Sequence, residues 1–118
     1  MRGRHGIDEY LQALEQAIER IERYVNGLNY ESFVMDEKIQ DAVCYNFIVI
    51  GEASRDIQRH YPQIISQLPP EILSDAYRMR NWLAHGYLGI DLEVIWKTIE
   101  NDLPGFRAII GTIVADED

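Results

Sequence analysis

From Ala42 to Ile50 the chain reads Ala-Val-Cys-Tyr-Asn-Phe-Ile-Val-Ile, a stretch that is apolar on nearly every side of a helix. A helix of that kind must be enclosed on more than one face. Ile48-Val49-Ile50 has local strand character, but no second strand exists in the sequence to pair with it. The cover must therefore come from other helices, from a partner chain, or from both. Asp36 suits the N-cap of this helix, which is expected to run to about His60, where Tyr61-Pro62 ends it.

The flanking segments supply the other helices. Ile7, Leu11, Leu14, Ile18, Ile21 and Val25 advance in steps of four and three, one apolar stripe with Gly27 as a stop. Residues 28–35 read as a connection with a helical turn after Ser32. Pro70 opens a third long helix, with Glu71 in its first turn and Ile72, Ala76, Met79 and Leu83 as its core stripe. Gly86 falls where that helix should be capped. Asp91 caps a further helix bearing Leu92, Ile95, Ile99 and Leu103, and Pro104-Gly105 is expected to break it. Phe106, Ile109, Ile110 and Ile113 make a last, shorter helix, and residues 115–118 an acidic fray. The expected architecture is all-α: an up-and-down bundle of four to five helices forming one domain over residues 1–118, with its core at about 7–114.

Charge and composition narrow the function. Eleven basic and twenty acidic residues give a net charge of −9, which argues against non-specific coating of nucleic acid. The acidity is uneven: residues 51–90 carry four Arg (55, 59, 78, 80) against four acids (52, 56, 71, 75), so that stretch is neutral. The one cysteine, Cys44, excludes an intrachain disulfide. No apolar run approaches the ~18 residues of a membrane span, and the basic start Met1-Arg2-Gly3-Arg4-His5 leads into a Glu-rich helix, so a cytoplasmic location is expected. His5, His60, His85 and Cys44 lack metal-ligand spacing, so no metal and no cofactor is expected.

What remains is Tyr77-Arg78-Met79-Arg80-Asn81-Trp82-Leu83-Ala84-His85-Gly86-Tyr87. One reading is a capped helix end, with His85 on the dipole and Tyr87 over the loop. The other is RNA cleavage, which needs a base of near-neutral pKa for a 2′-hydroxyl and a fixed cation for the phosphorane; His and Arg meet those needs. Five residues of helix turn the side-chain direction by about 140° and rise about 7.5 Å. Arg80 and His85 therefore do not share a face unless the helix unwinds before His85. A two-fold axis would bring two copies of the pair into one cleft, which favours a site completed by a dimer. Residues 42–53 are the candidate dimer surface, with full packing inside a monomer as the competing explanation.

Arg80-Asn81-Trp82-Leu83-Ala84-His85-Gly86-Tyr87 resembles the R-x4-H-x-Y motif of the HEPN superfamily. The wider likeness is to its HepT-like branch. Asp36 to Val43 is similar to that branch's opening of the second helix, and Ile50-Gly51-Glu52-Ala53 to its Gly-Glu-Ala step. His85-Gly86-Tyr87 through Gly89-Ile90-Asp91, then Ile95-Trp96 and Leu103-Pro104, continue it over roughly residues 7–107. The resemblance implies a dimerising helical bundle and a metal-independent endoribonuclease, the toxin of a type VII toxin–antitoxin pair. It implies Arg80 and His85 as catalytic residues and Asn81 as an RNA-binding or orienting residue. It also implies an MntA-type nucleotidyltransferase antitoxin that adds AMP to Tyr87. Glu52 has no assigned role on this pattern beyond packing or helix pairing. The branch often carries a basic residue near Tyr45-Asn46, absent here; Arg55 and Arg59 either compensate or pair with Asp56, Glu52 or solvent. A second function remains open from the residues: a non-catalytic subunit that binds a nucleotide or supports a nucleotidyltransferase. A third is an oligomeric scaffold with no ligand.

Overall fold

The structure, a computed structural model, describes residues 5–86 and 89–117. Six α-helices make up the described chain: α1 (His5–Val25), α2 (Tyr30–Val34), α3 (Glu37–His60), α4 (Pro70–Ala84), α5 (Leu92–Asn101) and α6 (Leu103–Glu117). A 3-10 turn, Pro62–Ser66, joins α3 to α4. The all-α bundle expected from periodicity is therefore observed, with α2 as a short additional helix.

The stripe on α1 is buried from Ile7 to Ile21 and packs along α3. Glu22 at the end of α1 forms an ion pair with Arg107 of α6, which lies on the same side of the bundle. α2 starts earlier than its sequence suggested, because Asn29 and Ser32 form a reciprocal capping box. Its Phe33 is fully buried and its ring lies 5.1 Å from that of Trp96, docking α2 on α5. α3 is the centre of the molecule, touching α1, α2 and α4. Asp36 caps it through Ile39 N–H at 3.1 Å, and Asp91 caps α5 through the N–H groups of Glu93 and Val94. Val43, Phe47, Ile50 and Ile57 of α3 are buried, while Cys44, Ile48 and Val49 are half-buried and Tyr45 is 64% exposed.

Three expectations are corrected. Pro104 does not break a helix: α5 ends at Asn101, and Pro104 sits in the first turn of α6, where a missing N–H costs nothing. Leu103 therefore belongs to α6, and α6 continues through Glu117 into the stretch expected to fray. The buried residues of α4 are Leu73 and Leu83, whereas Ile72, Ala76 and Met79 are only half-buried. The cause is that α4 packs principally on α3. Its other flank faces an open cleft of about 780 Å³, walled by Ile72, Ala76, Met79 and Trp82 on one side and by Val94 and Phe106 on the other.

This shift of the α4 stripe is measurable. Leu73→Ala should cost about 2–5 kcal/mol in denaturant unfolding, as for a fully buried leucine. Ile72→Ala at the cleft wall should cost less than half of that. Equal losses would contradict the placement.

Candidate functional site

α3 and α4 approach closely where Gly51 faces Arg80. A Cβ at Gly51 would collide with Arg80 Cβ and stand 2.7 Å from the Ala76 carbonyl oxygen. Only glycine admits that approach, so Arg80 Cβ rests on the backbone of α3. Further toward the start of α4, Gln58 Nε2 donates to Ser74 Oγ at 3.1 Å and to the Pro70 carbonyl at 3.4 Å. These two points fix how α4 lies on α3.

The guanidinium of Arg80 is held from two directions. Nη1 donates to Asn81 Oδ1 at 2.9 Å, and Nη2 donates to Glu52 Oε2 at 3.0 Å. Its Nε is buried without a hydrogen-bond acceptor among the described residues. The Arg80 side chain is 28% exposed and Glu52 is 56% exposed, so the carboxylate lies outermost. Ion pairs of such exposure are worth about 0.2–1 kcal/mol, too little for the fold to depend on. What the contact does is fix the plane of the guanidinium.

His85 is the C-cap of α4, with φ −110° and ψ 14°, and its side chain is exposed. α4 stays helical through Ala84, so the helix does not unwind ahead of it. His85 Nδ1 lies 2.9 Å from the carbonyl oxygen of Asn81, which also accepts the His85 backbone N–H at 3.2 Å. A carbonyl only accepts, so Nδ1 carries the proton in this bond. In the neutral ring, Nε2 is then left with its lone pair. Asn81 thus serves both partners: its side-chain carbonyl holds Arg80 and its main-chain carbonyl holds His85. Among the described residues Arg80 and His85 are linked in this way and not by a direct hydrogen bond. Tyr87 lies outside the described residues.

Beside Arg80 is a small polar cavity of about 220 Å³ lined by Glu52, Arg55, Asp56, Tyr77 and Arg80. Arg55 stacks over the Tyr77 ring, 5.0 Å from its centroid, a cation–π contact that was not read from the sequence. Two guanidinium and two carboxylate groups make this corner neutral. Arg59 is exposed in the last turn of α3. The sequence left Glu52 unassigned. Its signal was present in Gly51: a glycine inside a helical pattern marks a close backbone approach, and its neighbour then meets whatever approaches. Cys44, also on α3, is a poor nucleophile, because burial and the nearby Asp41 push its thiol up to about 11. Gly86 follows the cap; a Cβ there would press on Ile90 Cγ1 at 2.8 Å.

Comparison with known proteins finds that the ribonuclease HepT-like family model matches residues 14–113. The chain is 35% identical over 99 residues to a probable ribonuclease HepT of Thermococcus cleftensis, covering 84% of this chain and 87% of that one. It is 33% identical over 94 residues to a putative RNase of Methanocaldococcus jannaschii, covering 80% and 83% of the two chains. A putative RNase of Caldanaerobacter subterraneus is 28% identical over 108 residues, covering 92% and 94%. No solved structure matches significantly.

The raised thiol of Cys44 has a direct readout. At pH 8 its alkylation by iodoacetamide should be about 100-fold slower than that of an ordinary cysteine, and the rate should climb with pH until about 11. A rate that levels off near pH 9 would contradict the buried, anion-flanked setting.

Proposed function

This chain belongs to the ribonuclease HepT-like family, and we propose on that footing that it is a metal-independent endoribonuclease with Arg80 and His85 at its reacting centre. The observation that carries this reading is the double role of Asn81. It holds a guanidinium with one carbonyl and aims an imidazole Nε2 outward with the other.

The chemistry follows from those two groups. His85 Nε2 takes the proton of a ribose 2′-hydroxyl, and O2′ attacks the adjacent phosphorus. The bond from phosphorus to the 5′-oxygen breaks, and that oxygen leaves with a proton. The products are a 2′,3′-cyclic phosphate and a 5′-hydroxyl end. Arg80 stabilises the charge that builds on the phosphoryl oxygens as the phosphorane forms. The single 2′-hydroxyl proton needs one base, and the departing oxygen needs one acid. A two-fold axis supplies both as two copies of His85. In this reading the chain is a homodimer, and Tyr45 with the half-buried Ile48 and Val49 of α3 supports residues 42–53 as its contact surface. A site completed across subunits also accommodates the separate directions in which Arg80 and His85 leave α4.

The regulatory part of the proposal rests on the position of Tyr87, two residues beyond His85. The chain acts as a cytoplasmic toxin, and an MntA-type nucleotidyltransferase antitoxin silences it by adding AMP to Tyr87. A phosphate ester two residues beyond His85 in the chain adds negative charge to the segment that carries the imidazole, which opposes binding of an RNA phosphate. The neutral balance of residues 51–90 supports such control, since the site holds no excess cation to absorb added charge.

Purified protein incubated with single-stranded RNA in EDTA should cleave it. Arg80→Ala and His85→Ala should each slow cleavage at least about 100-fold while keeping the helical circular dichroism. Cleavage that survives both substitutions removes the proposal. Co-expression with the nucleotidyltransferase should add AMP to the intact mass, and Tyr87→Phe should prevent it.

A further inference from the structure

We infer that Glu52 is a positioning residue for the reaction: its carboxylate holds the guanidinium of Arg80 in the orientation that receives the scissile phosphate. The inference rests on the ribonuclease reading and adds a residue to it.

Four observations carry it. First, Glu52 comes from a different helix than Arg80, 28 positions away, and reaches Nη2 at 3.0 Å. Second, the preceding residue is Gly51, and any side chain there would push α4 away at Arg80 itself. The close helix approach and the ion pair are therefore one device. Third, Asn81 occupies Nη1, so the two Nη groups are held by two acceptors from two helices. Fourth, Nε is buried, which places the inner edge of the guanidinium against protein. A guanidinium has five N–H donors in a rigid plane. With one bond on each Nη and Nε buried, the second N–H on each Nη is left for a ligand, and the plane can no longer swing. Each held rotamer is one that the transition state need not order.

A carboxylate beside a phosphate site invites the opposite reading, that Glu52 competes with RNA for Arg80. The donor count argues against it. Each Nη keeps a second N–H beyond the one that Asn81 or Glu52 holds, so a phosphate can be received without displacing Glu52. The two readings predict opposite outcomes.

The test is steady-state cleavage of single-stranded RNA by the wild type, Glu52→Ala, Glu52→Gln and Arg80→Ala, at a temperature well below each unfolding midpoint. Positioning requires Glu52→Ala to lower kcat about tenfold or more with KM changed less than about threefold, because the lost contribution belongs to the transition state. Glu52→Gln keeps an acceptor oxygen at the same reach and should recover kcat to within about threefold of the wild type. A purely structural role would lower the unfolding midpoint of both variants and leave kcat unchanged, and that result overturns the inference. Faster cleavage or tighter RNA binding in Glu52→Ala also overturns it, in favour of competition. If Arg80→Ala cleaves as well as the wild type, the placement of Arg80 at the reacting centre fails; an inactive Arg80→Ala beside a fully active Glu52→Ala defeats only the role of Glu52.

Discussion

The contact between Gly51 and Arg80 is the point on which the arrangement of the site depends. Because Gly51 has no side chain, α4 settles onto the backbone of α3 at the residue that carries the cation. α4 packs principally on α3, and its far flank borders the open cleft between it and the α5–α6 pair. A helix supported mainly along one side has few other constraints on its rotation. The Gly51 contact and the Gln58–Ser74 bond set that rotation, and the rotation decides that Arg80 points at Glu52 while His85 stands in solvent.

Electrostatics in this protein is local. The chain carries −9 overall, yet the helices around the site balance their charges within a few ångströms. A polyanion approaching such a surface is not drawn by a broad basic field. On the proposed reading, recognition rests on the geometry of a few groups: an oriented guanidinium that donates and an imidazole Nε2 that accepts. On that reading orientation carries more of the chemistry than net charge does.

Much of the fold could be read before any coordinates. The α1 stripe is buried where its four-and-three spacing places it, from Ile7 to Ile21, because a helix packed along its length obeys its own period. Capping by Asp36 and Asp91 was legible for the same local reason. In the α4 stripe Leu83 is buried as expected, but Ile72, Ala76 and Met79 are only half-buried and the buried Leu73 was missed, since periodicity cannot tell a core face from the wall of an open cleft. Pro104 was misread as a stop because a proline that opens a helix looks the same in sequence as one that ends it. At the site, Arg80, Asn81 and His85 were singled out from residue chemistry and resemblance. Their connection was not visible: the Glu52–Arg80 pair spans 28 positions, and the bond from His85 Nδ1 to a main-chain carbonyl leaves no trace in residue type. The stacking of Arg55 on Tyr77 joins two helices and was equally hidden.

The central claim is that Asn81 fixes the imidazole of His85 with its Nδ1 protonated and its Nε2 bare. Nitrogen-15 NMR of the histidine rings measures this directly, with His85→Gln assigning the signal. At a pH where the ring is neutral, His85 should show a protonated Nδ1 and an unprotonated Nε2, and Nε2 alone should shift when an RNA is added that keeps the 2′-hydroxyl but carries a non-cleavable methylene in place of the 5′-oxygen. A neutral ring protonated on Nε2 would contradict the account.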